Sequence, residues 1–578
     1  MRSRSERKVE MSSLSDVFNK KADLLRKKLF GDTGSDHFKD FSSVCGRFAA
    51  FISVSDINEQ AYVFRASGKT PEEAWGSANA NAVEFINTEK FNPAWVKADI
   101  TFKGEKKPLV ETLERLSKGY SKFFRKGISF DDELDRAVIE AELNANSLID
   151  YKAGRIDIMA LNKYLAANDM KTLSQFPENV ILFTCKSAFC DEKSEVYELY
   201  SEGKSCGRRK LARFEKSNAL RVITTSSEYL AMQIGLDGKF DYGFYPTVPK
   251  SIPGYNILRH STSIWSLLCS YRISGDKFIL EQAESAIGFM IRNMVYKYPT
   301  KDSKENVLYL FEETKDEVKI GGNAVAIIVL TEYMDIVGTD KYTKTVKELG
   351  LGILELFDER NGSFFHVLKY PSLAPRDQFR TVYYDGETVF ALSKLYGVTK
   401  DRRFLEAAQR AVDRFIEKNY EQYADHWAAY AVNELTRYLP LEKYLNFGIR
   451  NVQSNLEKIY KQPTTFHTYL EFLCVSFELV DRIKTENLRC SSLEQFDEKK
   501  LVDTIFHRAD YMLNGYGYPE YVMYFANPEN SLGAFFIRHD NYRIRIDDVQ
   551  HFCCAYYAVY RNYEKLDALR EQSADQSK

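Results

Sequence analysis

Asp425, His426 and Trp427 stand together just ahead of an apolar helical run, "DHWAAYAVNELTRYLP". One capping residue would be enough to start a helix, since a single side-chain oxygen satisfies an exposed backbone N–H. An acid, an imidazole and an indole in a row offer more. Imidazole titrates near neutral pH, a carboxylate can orient it or act beside it, and a flat ring stacks on a ligand face. Comparable groups open five other apolar runs. They are Arg259 and His260; Gly321, Gly322 and Asn323; Tyr384, Asp385 and Glu387; His467 and Tyr469; and Asp547, Asp548, Gln550 and His551. The chain has only 8 histidines. Four of them (His260, His426, His467, His551) fall at these starts, and His366 and His539 lie in the loops before two others. Chance would scatter them, so a common mouth is expected.

The candidate acids and bases are Asp385, Glu387, Asp425, His426, His260, His551 and Asp548. The candidate substrate contacts are Arg259, Tyr384, Trp427, His467, Tyr469, Asn323 and Gln550. Helix N-termini add unpaired N–H groups and partial positive charge. Such a mouth suits a sugar, acidic sugars included. Hydrolysis would need two carboxyl groups, about 5–5.5 Å apart for retention or about 6.5–9.5 Å for inversion. Asp385 or Glu387 with Asp425 or Asp548 could supply the pair. Epimerisation or elimination would need a base and an acid on opposite faces of the sugar, which His and Tyr provide, with Arg259 on a carboxylate. Each residue also has a plain structural explanation. Asp385, Asp425 and Asp547 can be N-caps, a single His at a helix start is ordinarily a satisfied structural group, and Gly321-Gly322 can simply let two helices approach. The recurrence tips the balance toward a site. His551, Cys553 and Cys554 are too closely spaced on one helix to face a single metal. "GGN" lacks the spacing of a phosphate loop, and no GxSxG, HExxH or dinucleotide fingerprint is present. No metal or cofactor is expected.

These starts must be positioned by the helices that follow. From about residue 218, helical pairs repeat roughly every 40 residues, joined by "GDKF", "TDKY" or "KDRRF". The first helix of a pair is apolar nearly all round ("AVAIIVLTEYM", "TVFALSKLY", "AAYAVNEL"), and the second is amphipathic. A helix apolar on every face is buried and an amphipathic one covers it. Inner helices are therefore expected near 257, 321, 385, 425, 467 and 548, with a helix at 218–234 as the outer partner of the last. Six pairs close a ring. With the turns "DGKFDYGF" (237–244) and "NGSFFHV" (361–367), this resembles the (α/α)6 toroid of the six-hairpin glycosidase and sugar-epimerase superfamily, over about 60% of the chain. The resemblance lies in architecture rather than in one family signature. It implies a mainly α fold, an (α/α)6 double-ring toroid behind a smaller mixed α/β region. It also implies a carbohydrate-active enzyme, either a glycoside hydrolase or a sugar epimerase or lyase. Two alternatives remain: a cyclase-like, peptide-modifying helical toroid, and a non-catalytic scaffold binding a glycan or a protein.

Ahead of the ring, strand alternation dominates. The reading divides the chain into a polar segment (1–40) with a helix near 17–29, a small α+β module (41–125), and a mixed connecting region (126–217). The toroid (218–565) and a polar tail (566–578) follow. Thr70 should cap a helix beginning at Pro71. The region 41–215 is expected to pack on the toroid without being part of it, leaving the C-terminal part able to resist proteolysis alone. A net charge of −2 gives no pull toward nucleic acid or anionic membrane. "GRRKLARFEK" (207–216) reads as a solvated connector. No apolar run reads as a secretory signal or a membrane span. Nine scattered cysteines without a CxxC pair point to reduced thiols and a cytoplasmic setting.

Overall fold

The computed structural model describes residues 13–575 apart from 32–33, 35–37, 119–122, 151–153, 298 and 300–304. Residues 1–12 of the expected polar segment, and His37, lie outside the described residues. The N-terminal part is built on one antiparallel sheet. Tyr62–Gly68, Phe48–Ser55, Trp95–Pro108, Asn179–Cys190, Gly127–Ser129 and Ala137–Val138 follow one another across it, and Val196–Glu198 pairs with Asn179–Cys190. Its helices are α1 (Leu14–Phe30), α2 (Lys39–Cys45), α3 (Pro71–Glu89), α4 (Leu109–Lys118), α5 (Glu140–Ala145) and α6 (Ile158–Ala167). The Thr70 hydroxyl accepts from the Glu73 N–H at 3.1 Å, and Pro71 opens α3 as expected. The boundary near residue 125 does not hold. Trp95–Pro108 and Asn179–Cys190 pair along almost their whole length, so 41–125 and 126–217 share one sheet. Nor is the start a loose segment, because α1 buries Phe18, Leu25 and Leu29 in the core.

Twelve helices of the C-terminal part form the double ring. The inner layer is α8 (Ile257–Ser274), α10 (Ile320–Val337), α12 (Val382–Thr399), α14 (His426–Leu435), α16 (Thr468–Thr485) and α19 (Ile546–Asp575). Each packs on the next, and α19 packs on α8 to close the circle. The outer layer is α7 (Lys216–Met232), α9 (Lys277–Arg292), α11 (Thr343–Glu355), α13 (Arg402–Glu417), α15 (Glu442–Tyr460) and α17 (Glu498–Met512). α7 covers the seam between α19 and α8, as expected for the helix near 218. Ala324–Leu330 is buried throughout, and Val389, Ala391, Leu392 and Leu395 are fully buried. The final helix runs to Asp575, so most of the expected polar tail is helical. The short α18 (Pro519–Val522) sits between α17 and α19.

The recurring hairpin turns have a local cause. In "GDKF", Gly275 ends α8 at φ +63° and the Asp276 carboxylate accepts from the Phe278 N–H at 2.9 Å to start α9. In "KDRRF", Lys400 takes the left-handed position at φ +58° and Asp401 caps α13. Helix α10 is long and apolar enough to cross a membrane, with a mean hydropathy of 1.5, which the sequence reading had not credited. In the ring it is an inner helix enclosed by its neighbours.

The two parts share a hydrophobic core and buried ion pairs. Arg209 donates to both carboxylate oxygens of Glu520, at 2.9 and 2.6 Å, with both side chains buried. Arg208 pairs with Asp510 at 2.8 Å. The Tyr524 hydroxyl meets the Ser53 hydroxyl at 2.8 Å.

Candidate functional site

The inner helices begin at the same end of the ring, and three of those beginnings are drawn together by glycine. A Cβ on Gly321 of α10 would lie 2.3 Å from Glu387 Oε2, 2.7 Å from Tyr384 Cδ1 and 2.9 Å from Leu258 Cδ1. Glycine there leaves room for the Glu387 carboxylate, one turn inside α12. A Cβ on Gly386 would lie 2.6 Å from the Ala428 backbone N, so α12 also touches the start of α14.

Glu387 is buried, and its Oε2 has no hydrogen-bond partner. Burial first, and then the charge of Asp425, raises its pKa well above the usual carboxylate range. Asp425 is a complete N-cap. Its carboxylate accepts from the Trp427 N–H at 3.0 Å and the Ala428 N–H at 3.3 Å. His426, the first residue of α14, is buried with neither ring nitrogen hydrogen-bonded. Tyr383 stands beside it, ring centroids 5.9 Å apart.

Across from His426 lies His551 of α19, centroid to centroid 5.3 Å and nearly perpendicular. Its Nδ1 is 2.7 Å from Glu471 Oε1, and the other Glu471 oxygen accepts from the Tyr430 hydroxyl at 3.2 Å. Glu471 is fully buried on α16. A buried carboxylate accepting from Nδ1–H leaves Nε2 of His551 free to take a proton. His467 completes the group, 4.7 Å from His551 between ring centroids. Burial, then the neighbouring His551 and His426, push its pKa well below the ordinary value, so it stays neutral. Beneath lies an aromatic floor in which Trp427 stacks on Trp265 at 5.8 Å and Tyr430 on Phe390 at 5.3 Å.

The structure thus brings Tyr384, Glu387, Asp425, His426, His467 and His551 to one end of the ring. Arg259 lies at its edge, half-buried, held by Asp547 at 3.1 Å and by the Tyr242 hydroxyl. Other expected residues face elsewhere. His260 turns to the outer layer. Its Nε2 meets the Ala286 carbonyl of α9 at 2.9 Å and its Nδ1 meets the Tyr255 hydroxyl at 2.7 Å. Burial lowers its pKa to about 4, which makes it a neutral packing residue. Asp385 is bound by His366 Nε2 at 3.1 Å and by the Tyr420 hydroxyl at 2.9 Å. Since His366 Nδ1 accepts from the Arg380 N–H at 2.9 Å, Nε2 is its donor, and the pair ties α12 to the loops around it. Asn323 accepts from the Leu310 N–H at 2.8 Å and donates to the Leu308 and Leu349 carbonyls, fastening a strand and α11 to α10. Asp548 is fully buried between Arg543 at 3.4 Å and Arg545 at 3.2 Å. Gln550 is fully buried, with Nε2 directed to Cys554 Sγ at 3.5 Å. Trp427 and Tyr469 are buried as well, so neither offers an open stacking face.

Glu471 is the residue that sequence reasoning passed over. Its signal was a lone carboxylate in the apolar run "TYLEFLCVSF", four residues after His467. With His426 and His551 it also forms the one group among the described residues whose donor atoms could close on a metal ion, all within 4.8 Å of one another. Cys553 takes no part, its Sγ lying 3.3 Å from the Ser270 hydroxyl, inside the ring.

No protein-family model matches this chain, and no curated protein matches it in sequence. Solved structures are similar over the helical part. A D-mannose isomerase is 12% identical, with a TM-score of 0.45, over 61% of this chain and 99% of that one. Cellobiose 2-epimerase from Bacillus thermoamylovorans is 13% identical, with a TM-score of 0.44, over 59% and 99%. The GH76 α-mannanase BT2949 of Bacteroides thetaiotaomicron is 11% identical, with a TM-score of 0.32, over 60% and 86%.

Proposed function

We propose that this chain is a carbohydrate-active enzyme that isomerises or epimerises a sugar by moving a proton at carbon. The observation that carries the reading is the facing pair of imidazoles. His426 is buried with neither ring nitrogen hydrogen-bonded, its Nδ1 3.5 Å from Asp425 Oδ1, and His551 is backed by Glu471. In this reading His551 Nε2 removes the proton next to a sugar carbonyl, and Glu471 stabilises the imidazolium that forms. His426, 5.3 Å from His551 between ring centroids, is close enough to return a proton on the same side. Protonated Glu387 donates a hydrogen bond to the oxygen on which charge develops. The hydrolytic reading finds an acid in Glu387, but the carboxylates expected as its base, and Glu471, are engaged elsewhere. Both oxygens of Asp425 cap a helix, Asp548 is held by two arginines, and Glu471 is committed to His551 and Tyr430. The nine cysteines are free thiols, which supports a reducing, cytoplasmic setting for the reaction.

The test is a panel of aldoses, ketoses and disaccharides incubated with the protein in D2O and followed by NMR. Deuterium should enter the substrate at the carbon beside the carbonyl. His426→Asn and His551→Asn should each slow exchange by about 10²–10⁴-fold, the usual contribution of an acid or base. Release of reducing ends from a glycan, with no exchange into any sugar, would replace this reading with hydrolysis. The convergence of His426, Glu471 and His551 favours a second reading, in which these three bind a divalent cation that polarises the sugar oxygens. Metal content of the purified protein, and exchange rates after chelation, separate the two. Proton transfer by side chains alone survives chelation unchanged.

A further inference from the structure

A cavity of about 130 Å³ opens where the N-terminal part meets the ring. That is roughly ten times the room one water needs. Arg125 and Lys204 enter it from the N-terminal side, and Arg538 from the loop before α19. Tyr511, Asn514, Thr464, Thr465 and His539 supply the remaining polar wall, and among the described residues no carboxylate lines it. The arginine at its centre is unusual. Arg538 is only 8% exposed, yet its Nε and Nη2 reach no hydrogen-bond acceptor, and Asn514 Oδ1 is also without a partner. The Phe123 and Tyr521 rings cover the Arg538 guanidinium at 4.6 and 4.5 Å, which offsets part of its desolvation while Nε and Nη2 stay without an acceptor. Glu140, which faces Arg538 from the adjoining cavity, is pushed by burial to about 7, so at neutral pH it neutralises that cation only in part. Three cations bordering a half-open space that no carboxylate lines, one of them with buried N–H groups lacking an acceptor, fit a multiply charged tetrahedral oxyanion.

We propose that this cavity binds the phosphoryl group of a small metabolite, with Arg538, Arg125 and Lys204 on its oxygens. Phosphate would then sit on the shoulder of the ring's mouth. Thr465 lies two residues before His467, and the loop between is held from behind. Arg508 donates to the Gln462 and Thr464 carbonyls at 3.1 and 2.9 Å, and the Tyr511 hydroxyl donates to the Pro463 carbonyl at 2.7 Å. A ligand on Arg538 and Tyr511 therefore bears on the segment that positions His467. The inference is independent of the reaction assigned to the mouth, because binding is read without turnover.

Inorganic phosphate and a hexose phosphate are titrated separately into the full-length protein by calorimetry, in about 0.15 M sodium chloride to screen loose surface attraction. Saturable binding of at least one is expected, with the hexose phosphate displacing free phosphate if both bind. Arg538→Met should weaken it by roughly 10- to 100-fold, the loss expected for charge-assisted hydrogen bonds. Lys204→Ala, at an exposed position that leaves the fold intact, should weaken it several-fold. If neither compound binds, or if binding is the same in wild type and Lys204→Ala, the proposal is overturned. Tighter binding of the hexose phosphate identifies a sugar phosphate as the ligand, and equal binding identifies phosphate itself.

Discussion

Glu387 shows what a single buried carboxyl does to the molecule. Its pKa rises on folding, so the folded chain holds a proton that the unfolded chain releases near pH 4.5. Stability contributed by that proton is complete below about pH 4.5 and drains away as the pH climbs toward the folded value, by up to about 1.4 kcal/mol per pH unit. Glu387→Gln removes the titration. Urea unfolding at a series of pH values from 5 upward should show wild type losing ground to the variant as the pH rises. A constant difference would mean that Glu387 is ionised in the fold. At this scale the sequence told only part of the story. His260 and His426 both stand at the start of inner helices, yet one faces α9 and the other the mouth, because rotation about the helix axis is set by neighbours far away in the chain. Asp425 carried two readings from the outset, and its cap geometry satisfies the simpler one. Glu471 was hidden because a carboxylate one turn inside an apolar helix has no visible partner until α14 and α19 are laid beside α16.

Among elements, the approach of α12 to α14 decides whether the imidazole pair exists. Gly386 faces backbone atoms of α14, which cannot swing aside as a side chain can. Gly386→Ala should force the two helix starts apart. A loss of about 1–3 kcal/mol in unfolding free energy is expected for such overpacking, together with loss of deuterium exchange. An Ala variant with unchanged stability and exchange would mean that the helices do not meet there. The helices themselves were readable from sequence, since apolar-all-round against amphipathic is a statement about burial. The strands between them were not. Val307–Glu312 with Glu317–Lys319 and Val367–Lys369 with Ala374–Asp377 are short hairpins, joined in front of α10 and α12 by the distant pairing of Glu317–Lys319 with Val367–Lys369, which leaves little local pattern. That missing sheet is why Asn323 read as a ligand contact when it is a fastening for Leu308 and Leu310.

At the scale of the whole molecule, the two parts are bound too closely to be handled separately. Glu520 is 1% exposed and its charge is met by Arg209 from the N-terminal part. Removing one partner of such a pair strands a buried charge, at a cost of about 3–5 kcal/mol. Arg209→Ala should lower the midpoint of a single cooperative unfolding transition seen by calorimetry, and residues 216–578 expressed alone should be poorly soluble. A soluble, cooperatively folding fragment would restore the separable domain that the change in sequence texture suggested. The way the ring closes has a further consequence, felt while the chain is being made. Helix α7 is synthesised before any inner helix, and the surface it must cover, on α19, is translated after every other helix of the ring. At roughly 5–20 residues per second the wait is about 15–60 s. Throughout that interval Ala219, Val222, Ile223 and Leu230 have no final partner on α19. The nascent protein is an open arc with an apolar end, and every ribosome carrying it holds a candidate for premature association until α19 emerges.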